Sequence, residues 1–336
     1  MQVNDLDYTY PPELVATEPS KPTRVAFVSS GAPREINMAQ LLDQFFPGDL
    51  LVINESKVIP ARIFSKEEVE ILFLRELAVG EWQVLFPARE FKVNAELALP
   101  GGVTATLIEK GLPQTLRLMP PIGPEYFFEH GEVALPPYIQ EARGERRNRQ
   151  TDAEFYQTAW AKTPGSVAAP TASLHFTAAD LDSLKARGVH IATLTLHVGA
   201  GTFLPIKSET LDGHTMHGEQ VEIPKESLDL IAATRSAGGR VWALGTTVTR
   251  ALEAWAAGDL TETANGVAGE TKIFIKPGFE YKVVGGLLTN FHQPKSTLIS
   301  LVAAFAGLAQ VKSVYAWAVE RRFRLFSYGD LSAWIR

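Results

Sequence analysis

The rhythm of apolar and polar positions changes twice along this chain, and the changes divide it. In NMAQLLDQFF (37–46) the apolar residues fall at helical spacing behind Asn37, which predicts a short helix capped by that residue. A Pro-Gly turn follows, then the apolar run Asp49–Asn54, which predicts a short strand. Val58–Phe64 predicts a second strand, interrupted by Pro60. From about 65 to 135 the pattern alternates residue by residue. VEILFLREL, EWQVLFPAR, AELALPGG, VTATLIEKG and QTLRLMP are short and β-rich, with Pro or Gly between them. Turn signals recurring roughly every eight to twelve residues predict a small sandwich or barrel.

LPPYI (135–139) and an Arg cluster come next, and Pro-Pro disfavours helix, so a hinge or loop is expected. From 151 helical and strand patterns alternate. Helices are predicted for TDAEFYQTAWAK with its Thr as cap, and for TAADLDSLKARG with Thr177 as N-cap, Asp180 at the capping-box position and Gly188 closing it. KESLDLIAATRSAGG, TRALEAWAAG, STLISLVAAFAG and VYAWAVERRF are also predicted helical, and VHIATLTLHVG, RVWALGTT and TKIFIKPG extended. This alternation predicts an α/β layer architecture. The expected fold class is a mixed α/β main (catalytic) domain, residues 1–62 plus 150–336, carrying an inserted small all-β barrel domain at 63–149. The competing arrangement is one continuous sheet through the whole chain.

Composition narrows the class. The chain has 336 residues, 46% hydrophobic and 21% charged, which suits two domains or one large one. No window approaches the roughly 18 apolar residues of a membrane helix, so no membrane partner is expected. The first residues, MQVNDLDYTYPPELV, are acidic and lack the apolar centre of a secretory signal, so a cytoplasmic location is expected. There is no cysteine, which removes disulfides, thiolate catalysis and Cys-ligated zinc together. A net charge of −6 gives no general attraction for nucleic acid. Two local patches remain, RGERRNR (143–149) and RRFR (321–324).

Five polar clusters end strands or fill loops in the α/β part. GSVAAPTASLHFT (165–177) gathers Ser166, Thr171, Ser173 and His175 among small residues, as backbone shaped to approach something closely would. LHVGAGTF ends a strand at His197 and continues through Gly199, Gly201 and Thr202, a pattern that brings backbone N–H groups up to a ligand or simply makes a tight turn. HTMHGE offers His214, His217 and Glu219, a metal pair only if further ligands join it, and otherwise a structural pair. ALGTTVTRALE runs from a strand through Thr246 and Thr247 into a helix bearing Arg250, either an anion or ribose site or a Thr-capped helix. LLTNFHQPKST crowds Thr289, Asn290 and His292 into one loop and starts an apolar helix at Ser296. Loops at the strand ends of an open α/β sheet are where ligands bind. The residue types suggest a small-molecule site with His-assisted acid–base chemistry.

Longer stretches carry a resemblance. DLDYTYPPELVA, LLVINESKVIPARIF, LPPYI, YQTAWA, GSVAAPTASLHFT, LHVGAGTF, HTMHGE, GGRVWALGTTVTRALE, TKIFIKPGFEYKVVGGLLTNFHQPKSTLISLVAAFAG and FRLFSYGD resemble, in order and over nearly the whole length, the S-adenosylmethionine:tRNA ribosyltransferase-isomerases of queuosine biosynthesis. The resemblance implies transfer and isomerisation of the ribosyl moiety of S-adenosylmethionine onto 7-aminomethyl-7-deazaguanine at a tRNA wobble position. Epoxyqueuosine-tRNA, adenine and methionine result. It implies S-adenosylmethionine consumed as substrate, no resident cofactor, no metal, and tRNA as partner of a monomeric enzyme. Its catalytic candidates are His175, His197, His214, His217 and His292. Its substrate-binding candidates are Thr171, Ser173, Gly199, Gly201, Thr202, Glu219, Thr246, Thr247, Arg250, Thr289, Asn290 and Ser296. Arg143, Arg146, Arg147 and Arg149 are the candidates for tRNA contact, since Arg forks onto phosphate. The chain departs from the family pattern at SKPTRVAF, Glu55-Ser56, Ser173, Val248-Thr249 and Gln293, which leaves a divergent or silent relative that only binds tRNA or S-adenosylmethionine as one alternative. A metal-dependent hydrolase built on His197, His214 and His217 is another.

Overall fold

The computed structural model describes residues 1–336 except 30, 200, 202–205 and 207. Ten strands form one sheet, in the order Thr261–Thr263, Gly266–Thr271, Glu219–Pro224, His190–Leu196, Leu50–Asn54, Val241–Leu244, Gly286–Asn290, Leu331–Ile335, Arg24–Val28 and Arg34–Asn37. The central four, from His190–Leu196 to Gly286–Asn290, are mutually parallel. Leu331–Ile335 then runs antiparallel to Gly286–Asn290 and parallel to Arg24–Val28.

Leu50–Asn54 is buried at every position, as a strand covered on both faces must be. Leu50 and Val52 pack on one side with Ile231, Val248 and Leu252 from the helices Lys225–Ser236 and Thr246–Ala257. Leu51 and Ile53 pack on the other with Leu41, Leu42, Leu181 and Leu184 from the helices Met38–Leu42 and Ala178–Ala186. Both of those helices carry the capping boxes their sequences predict, Asn37 with Gln40 and Thr177 with Asp180.

The second sheet is antiparallel throughout, in the order Arg62–Phe64, Glu70–Ala78, Glu81–Leu85, Gln114–Met119, Thr104–Glu109 and Glu96–Ala98. It curls around its own core of Ile63, Ile71, Phe73, Val84, Leu107 and Leu116. The two sheets are separate, against the arrangement of one continuous sheet. The expected barrel is a half-barrel instead. Its edge strands have three residues each, too few for a closing ladder, and one backbone bond from Lys66 to Ala98 (2.8 Å) joins the chain beside them. Pro60 divides the 58–64 stretch, so Ser56–Val58 pairs with Thr163–Ser166 while Arg62–Phe64 enters the half-barrel.

Four local expectations are corrected. LPPYI opens a helix, Pro137–Arg143, because Pro is tolerated at the first helical position, and Gly144 ends it at φ 65°. TDAEFYQTAWAK is helical only over Asp152–Phe155, and Thr151 does not cap it. There Asp152 is tied to Arg143, and Gln157 clamps both backbone groups of Val58. The strand at TKIFIKPG stops at Thr271, whose hydroxyl accepts from the Ile273 N–H. Gly245, not Thr246 or Thr247, occupies the N-cap of the helix Thr246–Ala257.

At the carboxyl end of the central strand the ladder is continued by a side chain. Fully buried Asn54 donates to the Leu196 carbonyl (2.9 Å) and accepts from the Leu196 and Ser56 N–H groups (3.1 and 3.0 Å). Ser56 accepts from Ser166 (2.9 Å), and Ser166 accepts from the Val198 N–H (3.0 Å). Removing the amide leaves three buried backbone groups unpaired. Asn54→Ala is therefore expected to cost on the order of 3 kcal/mol, read as a lower urea midpoint. Asn54→Asp, which keeps the shape but loses the donor, is expected to be at least as damaging.

Candidate active site

The carboxyl ends of the four parallel strands converge on a cleft of about 380 Å³, where ligands bind in open α/β sheets. Leu50–Asn54 hands its register to Val198 through the Asn54–Ser56–Ser166 chain, Val241–Leu244 leads into Gly245, and Gly286–Asn290 leads into His292. Thr171, Gly201, His217, Glu219, Thr246, Thr247, Arg250, Thr289, Asn290, His292 and Ser296 all line it. The sequence candidates are thus largely brought together. His175, His197, His214, Ser173 and Gly199 lie outside its lining, and Thr202 lies outside the described residues.

His175 stands behind the cleft. Thr171 donates to Asn290 Oδ1 (3.1 Å), Asn290 Nδ2 donates to His175 Nε2 (3.0 Å), and His175 Nδ1 faces the Thr23 hydroxyl at 3.1 Å. With Nε2 accepting, the ring proton sits on Nδ1 and is donated to Thr23. Burial, aided by the cationic Arg324 and Lys21, lowers the His175 pKa to about 4. Both ring nitrogens are engaged inside the protein, so His175 holds Asn290 rather than facing the cleft itself. His292 is buried at the cleft wall with Nε2 on the Thr289 hydroxyl at 2.8 Å. Burial lowers its pKa to about 3.

Glu219 and Arg250 form a buried ion pair between a sheet strand and the first turns of the helix Thr246–Ala257. Glu219 also accepts the Gly199 N–H (3.2 Å), which is how that glycine serves the site. His217 faces the cleft, packed against Gly201, and its ring makes no hydrogen bond to a described residue. His214 is edge-on to Phe274, and burial followed by the proximity of His217 lowers its pKa. His197 lies flat against Gly165, where a Cβ would stand 2.7 Å from the ring, so only glycine fits there. Burial lowers the His197 pKa, with Glu222 opposing. Among the described residues no three His, Asp or Glu side chains gather as metal ligands, so the His197, His214 and His217 set for a hydrolase does not assemble. Ser296 caps its helix through the Ile299 N–H, and Ser173 is buried within the 3-10 turn Thr171–His175.

The Arg cluster divides. Arg143 is buried, bound to both oxygens of Asp152 (2.7 and 2.9 Å) and to the Thr17 carbonyl (3.0 and 2.6 Å), and so tethers its loop instead of facing a phosphate. Arg147 lies over the Phe64 ring at 3.6 Å and pairs with Glu68 and Glu132, and Arg149 pairs with Glu145. Arg146 is the most exposed, with Glu70 3.9 Å away.

Sequence reasoning named no residue from LPPYI or FRLFSYGD, yet both reach the cleft. Tyr138 bonds the Ser327 hydroxyl (2.5 Å), and Phe326 packs edge-on to Tyr138 and Tyr10. Phe326 holds φ 72°, a left-handed backbone that a bulky residue adopts only when its surroundings force it. The motif lengths signalled these segments, but nothing in the residue types marked that conformation.

The comparisons agree with this geometry. The S-adenosylmethionine:tRNA ribosyltransferase-isomerase of Citrifermentans bemidjiense is 47% identical over 98% of both chains, and that of Thermotoga maritima 42% over 98% of both. The crystal structure of the S-adenosylmethionine tRNA ribosyltransferase from Thermotoga maritima matches with a TM-score of 0.56 and 33% identity, covering 98% of this chain and 100% of that one. The sequence model of the family described as queuosine biosynthesis protein matches residues 3–333. With its motifs and its strand-end cleft inside that match, this chain belongs to the queuosine biosynthesis protein family.

Proposed function

We propose that this chain transfers and isomerises the ribosyl moiety of S-adenosylmethionine onto 7-aminomethyl-7-deazaguanine at the wobble position of tRNA, giving epoxyqueuosine-tRNA. The observation that carries the reading is near full-length identity to enzymes bearing that name, together with the lining of the cleft by the same motif residues. S-adenosylmethionine is consumed as substrate, and no resident cofactor takes part. The enzyme acts as a cytoplasmic monomer on the anticodon loop.

The chemistry asks for a base and an acid. The sulfonium acidifies the neighbouring C5′ proton, which a base removes. The bond from the sugar to adenine breaks, and adenine leaves more readily with its ring protonated. The C5′–S bond to methionine breaks as well: the aminomethyl nitrogen loses a proton and bonds C1′, C5′ bonds C1′ to close the carbocycle, and the ring oxygen released by C1′ bonds C5′ to give the epoxide. Of the two histidines lining the cleft, His217 is the one whose ring makes no hydrogen bond to a described residue, so it is assigned acid–base work. His175 and His292, held neutral by burial, keep Asn290 and Thr289 in position. Tyr138 and Phe326 supply an aromatic wall for a ring, and exposed Arg146, Arg147 and Arg149 approach tRNA phosphates while Arg143 anchors them.

Incubation with S-adenosylmethionine and tRNA carrying the 7-aminomethyl base is expected to yield epoxyqueuosine by nucleoside mass spectrometry, with one adenine per turnover. His217→Asn is expected to lower kcat by about 10²–10⁴, the usual range for losing a general acid–base group, at unchanged Tm. Full turnover by a folded His217→Asn protein would remove His217 from the chemistry.

Arg146→Glu with Arg149→Glu is expected to weaken tRNA binding and to flatten its salt dependence by about one unit of slope per lost phosphate contact, with S-adenosylmethionine affinity retained. An unchanged salt slope would place the tRNA on another face.

The two neutral histidines also make stability depend on pH. In the unfolded chain both take up protons below about pH 6.5, while in the folded chain they resist until about 4 and about 3. Their contribution is complete above about pH 6.5 and is lost as pH falls from there through those values. Tm is expected to drop over that window, and less steeply in His292→Asn. An identical pH profile in the variant would mean that His292 titrates normally.

A further inference from the structure

Arg250 is incompletely satisfied. Its Nη1 bonds Glu219, but Nε and Nη2 are buried without a hydrogen-bond partner among the described residues. The side chain is 9% exposed and lines the cleft. Buried guanidinium donors left unmet are costly, and their presence points to an acceptor that arrives from outside.

The helix beneath it makes the same demand. Thr246–Ala257 begins without a side-chain cap, because its N-cap is Gly245 at φ 100°. Among the described residues the N–H groups of Thr246, Thr247 and Val248 therefore have neither an intrahelical nor a side-chain acceptor, and the Thr247 hydroxyl is likewise buried with no partner there. Gly245, Thr246 and Thr247 border the cleft, so the positive end of a twelve-residue helix opens into it. Arg250 lies one turn further along the same helix face.

Glu219 provides the opposite sign a few ångströms away. One carboxylate oxygen accepts from Gly199 and the other from Arg250, and each keeps a second acceptor position. Unmet cationic donors on one side and a buried carboxylate on the other suit a ligand that carries both charges on adjacent atoms.

We propose that Arg250, the uncapped helix start at Thr246–Thr247, and Glu219 form the receptor for the α-amino acid end of the sulfonium substrate. The carboxylate of the methionine moiety meets Arg250 and the helix start, and its ammonium meets Glu219. This deepens, and rests on, the reading of the cleft as the S-adenosylmethionine site. It makes the receptor specific for an intact amino acid tail, and it leaves the rest of the cleft to the sugar, the base and the incoming nucleoside.

The test pairs a ligand deletion with a protein deletion. Calorimetry on the full chain compares S-adenosylmethionine with its decarboxylated analogue. Wild type is expected to bind the analogue about 10- to 100-fold more weakly, as expected for losing charge-assisted hydrogen bonds. Arg250→Gln is expected to lose a similar factor for S-adenosylmethionine and little for the analogue, so the preference collapses. Equal binding of both ligands by wild type would overturn the proposal. So would an Arg250→Gln protein that keeps the full preference, or one that loses affinity for tRNA alone, which would make the anion a phosphate. If Arg250→Gln does not fold, the wild-type ligand pair and Thr247→Val, expected to narrow the preference in part, decide the matter. If wild type binds neither ligand even with tRNA present, the substrate reading of the cleft falls, and the receptor falls with it.

Discussion

Everything at the cleft hangs on a small polar network buried in an otherwise apolar sheet. Asn54 imitates a backbone at the end of the central strand, bonding both polar groups of Leu196, and passes the constraint through Ser56 and Ser166 to Val198. Three chain segments far apart in sequence are thereby held in one register where the sheet ends. Each side-chain oxygen and nitrogen of Asn54, Ser56 and Ser166 has a partner, which is the condition under which a buried network rigidifies a core instead of weakening it. The loops on top inherit their positions from it. The 163–171 stretch leaves its short ladder with Ser56–Val58 at Ser166, the strand His190–Leu196 ends two residues before Val198, and Thr171 and Val198 both line the cleft.

A second consequence of burial is chemical. Desolvation keeps His175 and His292 neutral, and a neutral imidazole can accept on one nitrogen and donate on the other. That lets His175 read Asn290 with one edge and Thr23 with the other, so a motif histidine becomes a bracket. Charge in the interior is concentrated in pairs such as Glu219–Arg250 and Arg143–Asp152. The buried carboxylate of Glu253 is met by the N–H groups of Lys282, Val283 and Val284. The ionisable side chains exposed at the site are correspondingly few, so the environment a substrate meets is set by oriented donors and acceptors more than by mobile charge.

Much of this was legible in the residues. The run Leu50–Asn54, the capped helices at Asn37 and Thr177 and the switch to period two after residue 65 follow from local rules that tertiary structure did not override. The gathering of Thr171, Glu219, Arg250 and Asn290 at one place followed from their positions at strand ends. What stayed hidden depended on partners distant in sequence. Nothing local says that Asp152 is held by Arg143, which cuts a predicted helix to one turn, or that His175 is filled from both sides by Thr23 and Asn290. Alternation predicts a barrel where a half-barrel forms, because it reports strands and not whether three-residue edges can close. The left-handed Phe326, packed edge-on against Tyr10 and Tyr138, had no sequence mark at all.

The order of strands in the large sheet bears on how the protein is made. Leu50–Asn54 must wait for partners that arrive some 140 and 190 positions later, at His190–Leu196 and Val241–Leu244. Arg24–Val28 waits longer still, because Leu331–Ile335 is inserted between it and Gly286–Asn290. During synthesis the half-barrel, whose six strands are close neighbours in sequence, can form as soon as it leaves the ribosome. The sheet that carries the cleft stays open at its middle until residue 335 emerges. Such long-range pairing makes folding slow and leaves strand edges bare in the interim. In a nascent chain of this protein the strands of the half-barrel are thus all present while the large sheet still lacks its partners, and the chaperones of the cell meet the apolar strand Leu50–Asn54 long before any substrate does.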